Sequence, residues 1–166
     1  MEHFSAEAAQ IVLNAPVKKT MIPLNVTHTA IVTKMIHARL LCPSKQLSQA
    51  GHLPQASTNL RYMLSSIITY FTDSYKSTFG FKDGPPIHDA LTIAYVARPE
   101  LFTSQRHRVD IELHGTFTSG ETVVDMWQYQ HCDDSWGVGG KNCLVAESIQ
   151  VSPNTKLWAV EFIMHR

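Results

Sequence analysis

The longest patterned stretch carries Leu60, Met63, Leu64, Ile67, Ile68, Phe71, Tyr75 and Phe79 at steps of three and four. That spacing predicts one helix over 57–79, about six turns long, which Gly80 stops. A shorter helix is expected over 5–14, with Ser5 as cap, Glu7 in the first turn and Pro16 beyond the end. Residues 20–26 (TMIPLNV) are β-leaning and bounded by turn residues, so they read as a strand with Pro23 at an edge or end. Residues 29–41 place Ile31, Val32, Met35, Ile36 and Leu40 at helical spacing. A loop rich in Pro, Ser, Gln and Gly follows over 42–55. Residues 89–98 predict another helix, apolar on nearly every side and therefore expected to be buried all round.

Past Pro99 the period changes. Val109, Ile111 and Leu113 alternate with Asp110, Glu112 and His114, which predicts a strand. A turn at 118–121 and a second strand over 122–129 make it a β-hairpin. Residues 131–142 form a polar, Gly-rich loop, expected to be flexible. A strand over 143–151 and a helix over 154–165, opened by Pro153, complete the chain. The order predicts an α/β fold with an antiparallel extension. Residues 20–26 are the one clear candidate for a core parallel strand in the first half. The helices of a larger domain are present with too few strands to cover them, so further sequence is expected upstream.

Composition narrows the class. Of 166 residues, 44% are apolar and 17% charged, which excludes a solvated disordered tail. Fourteen Lys and Arg balance fourteen Asp and Glu. A net charge of zero argues against nucleic acid or an anionic membrane as the main partner. No apolar run reaches the ~20 residues of a membrane helix. No basic-then-apolar leader opens the chain. Cys42, Cys132 and Cys143 cannot all pair and form no CxxC, so reduced thiols and a cytoplasmic location are expected.

The stretch Gly84-Pro85-Pro86-Ile87-His88-Asp89-Ala90 holds the densest chemistry. A rigid double proline ends at a His-Asp pair opening the apolar helix. Asp89 can be a helix cap with His88 a satisfied neighbour. Alternatively Asp89 is a hard oxygen ligand for a divalent cation and His88 a general acid. The run Gly137-Val138-Gly139-Gly140-Lys141-Asn142 lacks the spacing and the Ser/Thr of a phosphate loop. His131, Cys132 and Cys143 match no common zinc spacing. Trp127, Trp136 and Trp158 read as packing residues, with Trp136 the exception to be checked because it lies in a loop.

Several blocks resemble, in order, the C-terminal half of the inosine-uridine-preferring nucleoside hydrolases, with the fungal uridine nucleosidases nearest. They are Ser5-Ala6-Glu7-Ala8-Ala9, Ile22-Pro23-Leu24-Asn25-Val26-Thr27-His28, Pro85-Pro86-Ile87-His88-Asp89-Ala90, Pro99-Glu100-Leu101-Phe102, Val109-Asp110-Ile111-Glu112-Leu113 and Gly120-Glu121-Thr122-Val123-Val124-Asp125. The resemblance implies an open, mostly parallel sheet with flanking helices and a late antiparallel hairpin. It also implies hydrolysis of the N-glycosidic bond of nucleosides such as uridine and inosine, with Ca²⁺ holding the ribose and the attacking water. By position, it makes Asp89 a metal ligand and His88 the histidine beside the leaving base. Tyr75 and Phe79 fall about where the family lines its base pocket, and core aromatics on the helical stripe are the alternative for both. The resemblance further implies a homo-oligomer at full length.

The family's opening Asp-rich block, its middle threonine and its Glu-Phe-Asn segment have no counterpart here. The chain therefore reads as an incomplete domain over 1–166. One carboxylate falls short of the six to eight oxygens Ca²⁺ takes, so tight Ca²⁺ binding and turnover by this chain alone are not expected. A non-catalytic degenerate paralogue, acting as a folding or oligomerisation partner, is the competing reading, with an unrelated small metal-binding module behind it. Poor solubility of the isolated chain is also expected, from the all-apolar helix.

Overall fold

The computed structural model describes residues 5–43 and 51–150. In chain order the elements are α1 (Ala6–Asn14), β1 (Thr20–Met21), α2 (Leu24–Thr27), α3 (Lys34–Leu41), α4 (Asn59–Phe79), α5 (Asp89–Ala97), a 3-10 turn (Pro99–Leu101), β2 (Phe102–His107), β3 (Val109–Ile111), β4 (Thr122–Val124) and β5 (Cys143–Ile149). The chain is α/β. Its described residues divide into two compact units, one made of 5–23 plus Thr103–Glu147, the other of 24–43 and 51–102 with 148–150.

In the first unit, Ser5 caps α1 by accepting from the Ala8 amide at 3.2 Å. Strand β5 lies between β1 and β2. The β1–β5 pairing is parallel, with Thr20 opposite Leu144 and Met21 opposite Val145. β3 and β4 form the antiparallel hairpin, Val109 facing Val124 and Ile111 facing Thr122. Its core gathers Val109, Cys143 and Val145 against Leu13, Met21 and Val124.

Polar side chains fasten this small core. The fully buried Asn142 accepts from the Val109 amide at 2.8 Å and donates to the carbonyls of Val109, at 2.7 Å, and Leu13, at 3.1 Å. Gln10 of α1 donates to Asp110 at 2.9 Å and accepts from the Ile111 amide at 2.6 Å. Arg108 ion-pairs with Asp110 and donates to Asn14 at 3.3 Å. Burial works to raise the Asp110 pKa, but the hydrogen bonds from Arg108 and Gln10 outweigh it and hold the carboxyl below 3.8. The buried His107 bonds Glu147 at 3.0 Å.

The second unit packs α3 on α4. Val32, Ile36 and Leu40 form its buried layer, with Leu64, Ile68 and Ile87 against it. Thr58 caps α4 by accepting from the Arg61 amide at 3.2 Å. Gly80 ends the helix at φ 75°, a left-handed conformation that glycine adopts without penalty. Arg61 and Ser57 donate to the carbonyls of Leu40 and Leu41 at the C-terminal end of α3.

Several expectations are corrected. Residues 20–26 are not one strand. The ladder stops at Met21, and after Pro23, which has no amide hydrogen to donate, Leu24–Thr27 coils into α2. The helix expected over 29–41 starts at Lys34, because Thr33 caps it and Ile31 instead bridges to Pro86. The second hairpin strand ends at Val124, where the Asp125 carboxylate takes the amides of Tyr129 and Gln130 and turns the chain. α5 is not buried all round. Leu91 and Ala94 are buried, while Ile93 is 55% and Val96 81% exposed, as a helix with one packed stripe must be. The loop over 131–142 is held rather than free. Arg106 donates to the carbonyls of Asp134, Ser135 and Lys141 and lies 4.0 Å over the Trp136 ring. The helix expected over 154–165 and Trp158 lie outside the described residues.

Candidate functional site

The site forms within the second unit, around the double-proline loop. Two backbone bonds fix that loop against 30–32: Val32 donates to Pro85 at 2.9 Å, and Ile87 donates to Ala30 at 3.0 Å. Gly84 precedes the prolines at φ 140°, and a Cβ there would stand 2.0 Å from the Val32 carbonyl oxygen. A residue without a side chain is required for so close an approach.

His88 follows as the residue before α5. It makes no capping bond, and Asp89 is the first helical residue, so Asp89 is not the cap, while His88 is a satisfied neighbour as that reading expects. Both ring nitrogens of His88 have partners instead. Nδ1 lies 2.8 Å from Thr27 Oγ1, and Nε2 lies 2.9 Å from the Tyr75 hydroxyl. Thr27 closes α2, and Tyr75 stands in the last turns of α4, so the ring is gripped by two elements 61 and 13 residues away in sequence.

Aromatic rings surround the imidazole. Tyr75 is tilted 38° to His88 at 5.9 Å between centroids. His28 meets His88 edge-on at 5.5 Å and Phe81 at 5.4 Å. Phe81 also stands edge-on to Tyr75 at 5.7 Å. Phe79 joins through Tyr75, at 5.3 Å, and is 66% exposed. Partial burial lowers the His88 pKa below 6.5; the neighbouring His28 pushes the same way, and Asp89 opposes. These surroundings favour the neutral form of the ring.

Asp89 is exposed beside this cluster. Among the described residues, no three His, Cys, Asp or Glu side chains converge in a way that could hold a metal ion. One carboxylate does not satisfy Ca²⁺, so the described residues do not by themselves fit that ion. The same holds for zinc at His131, Cys132 and Cys143, since Cys143 is buried in the core of the first unit.

The structure thus brings Tyr75 to His88, sets Phe79 one ring further out and leaves Asp89 open to solvent. Thr27, His28 and Phe81 were not singled out by sequence reasoning. The available signal was the Thr27-His28 pair closing one of the blocks quoted above, but nothing local tied it to His88.

The arrangement is that of a nucleoside hydrolase fold. The purine-preferring ribonucleoside hydrolase from Gardnerella vaginalis superimposes with a TM-score of 0.68 at 21% identity, over 95% of this chain and 44% of that one. A family model described as inosine-uridine preferring nucleoside hydrolase matches residues 3–154, and the chain belongs to that family. The probable ribonucleoside hydrolase of Dictyostelium discoideum is 36% identical over 121 residues, which are 73% of this chain and 33% of that protein. The inosine-uridine preferring nucleoside hydrolase of Leishmania major is 36% identical over 122 residues, 72% of this chain and 33% of that protein. The chain thus spans about a third of the length of these curated relatives.

Proposed function

We propose that this chain carries the leaving-base side of a nucleoside N-ribohydrolase site acting on nucleosides such as uridine and inosine. One observation carries the reading: an imidazole bonded at both nitrogens, ringed by aromatics and set next to an open carboxylate. In this reaction water adds at the anomeric carbon, the C–N bond breaks, and the base leaves with the electron pair. A proton on the departing nitrogen lowers that barrier, and His88 can supply it once its ring has taken one up. Tyr75 and Phe79 offer flat apolar faces on which a base can stack. Asp89 contributes a carboxylate toward the ribose side. The other oxygen ligands of a bound Ca²⁺ would come from outside the described residues.

The test is release of free base and ribose from uridine and inosine by the protein containing this chain. His88→Ala is expected to lower kcat by roughly 10²–10⁴-fold with little change in KM, since proton donation acts in the transition state. An unchanged kcat removes His88 from the chemistry.

The lack of a converging metal-ligand group among the described residues favours a second reading, a non-catalytic relative of the hydrolases. Calorimetric titration with Ca²⁺ separates the two. The absence both of binding and of base release supports the second.

A further inference from the structure

We propose that Phe81 is a positioning residue: folded back by the left-handed end of α4, its ring holds the Tyr75 hydroxyl against His88. The assignment deepens the functional reading above and rests on it for its catalytic meaning, while the contact itself is measured separately.

Tyr75 has little else to fix its aim. α4 buries none of its residues, and Tyr75 stands on its apolar stripe. A tyrosine on a helix has two favoured settings of its first side-chain torsion, and they carry the hydroxyl to different places. The ring neighbours of Tyr75 sort by origin. Phe71 at 6.2 Å and Phe79 at 5.3 Å lie one turn away on the same helix and are 45% and 66% exposed. They travel with α4 and face solvent, so they constrain Tyr75 weakly. His88, at 5.9 Å, is the group being addressed. Among the described ring contacts of Tyr75, Phe81 is the remaining one, and it comes from beyond the helix end.

Phe81 arrives there by backbone geometry. Gly80, at φ 75°, turns the chain, and the amides of Gly80 and Phe81 both donate to the Tyr75 carbonyl, the second at 3.3 Å. The turn that ends α4 is thereby anchored on the residue whose ring it must hold. Phe81 then stands edge-on to Tyr75, at 82° and 5.7 Å between centroids, an arrangement favoured by the opposite partial charges of ring edge and ring face. It also stands edge-on to His28, at 73° and 5.4 Å, and His28 in turn meets His88 at 5.5 Å. The four rings close a circuit in which Phe81 meets both of the rings that meet His88.

The test uses the full chain with ¹³C-labelled aromatic rings. In the wild type the 2.9 Å between the Tyr75 hydroxyl and Nε2 brings the outer ring protons of Tyr75 close to the carbon-bound proton beside that nitrogen, so a nuclear Overhauser effect between the two rings is expected. Phe81→Ala is expected to abolish it or cut it several-fold. Phe81→Tyr, which keeps the ring, is expected to preserve it. Thr58→Ala weakens the far end of α4 and is expected to leave the effect at its wild-type size. Where base release is measured, Phe81→Ala should lower kcat roughly 10–100-fold, with rescue by Phe81→Tyr.

A wild-type-sized effect in Phe81→Ala, or an equal loss in Thr58→Ala, would overturn the assignment. Should Phe81→Ala not fold, Phe81→Leu serves in its place, since it fills much of the space without offering a ring edge. A several-fold weaker effect then supports the proposal, and an unchanged one overturns it. A chain that shows the Phe81-dependent contact yet releases no base supports the assignment and defeats the hydrolase reading alone.

Discussion

The two units are stabilised by different means. The unit containing Thr103–Glu147 is fastened by polar side chains that join residues about 100 positions apart, as Gln10 joins Asp110 and Ile111. Its buried Asn142 pairs with both backbone groups of Val109, as a neighbouring strand would. The unit containing Leu24–Phe102 relies on helix caps and one apolar layer between α3 and α4. No residue of α4 is buried, and Leu60, Met63, Ile67 and Phe71 are each about half exposed or more. Fixed polar pairing thus holds the unit without the candidate chemistry. The chemistry sits in the unit whose main helix presents a broad apolar surface.

The largest effect that tests this contrast is expected from Asn142→Ala. It leaves a buried amide and a buried carbonyl of Val109 unpaired and should cost about 3 kcal/mol. The denaturation midpoint followed by Trp127 and Trp136 fluorescence reads it, and a shift too small to resolve would show that the polar network is decoration. Thr58→Ala removes the α4 cap and should cost about 1 kcal/mol. Faster amide exchange in the first turn of α4 checks this.

Acid should separate the units next. Burial holds the His37 pKa below 6.5, so the unfolded chain takes up a proton first. The contribution of a neutral His37 is full above pH 6.5 and is lost as pH falls through its lowered value. Asp110 has the opposite chemistry but the same direction. Its stabilisation is complete above 3.8 and lost as pH falls through its own depressed value. Exchange protection around α3 should therefore weaken at milder acidity than protection around β3; simultaneous loss would break the distinction. The smallest stability effect is expected from Ile67→Lys on the open face of α4, within about 0.5 kcal/mol. Its measurable consequence is higher solubility of the chain, and unchanged solubility would place the sticky surface elsewhere.

Local chemistry made much of the architecture legible. Gly80 stops α4, Ser5 caps α1, and Glu121 closes the hairpin turn, each through neighbours in sequence. What stayed hidden depends on distance. β2 runs Phe-Thr-Ser-Gln-Arg-His, with no alternation to mark it, and becomes a strand because β5 lies beside it. The helical spacing of 29–41 was real, yet Ile31 is drawn off by Pro86. His88 and Asp89 were visible as an ionisable pair at a helix start. The grip of Thr27 on His88 was not, because a hydroxyl 61 residues away leaves no periodic trace. α5 misled for a related reason, since an all-apolar helix reports the surface it is suited to cover, and in this chain Ile93 and Val96 meet solvent.

The double-proline loop has a thermodynamic corollary. It is laced to 30–32 on either side of Pro86, and its two rings already restrict the backbone. The freedom that a catalytic loop usually surrenders when a small molecule docks has here been surrendered earlier, as the polypeptide folds. Ligand capture at His88 should then carry a small entropic penalty, and the imidazole should wait in place with its aim already set.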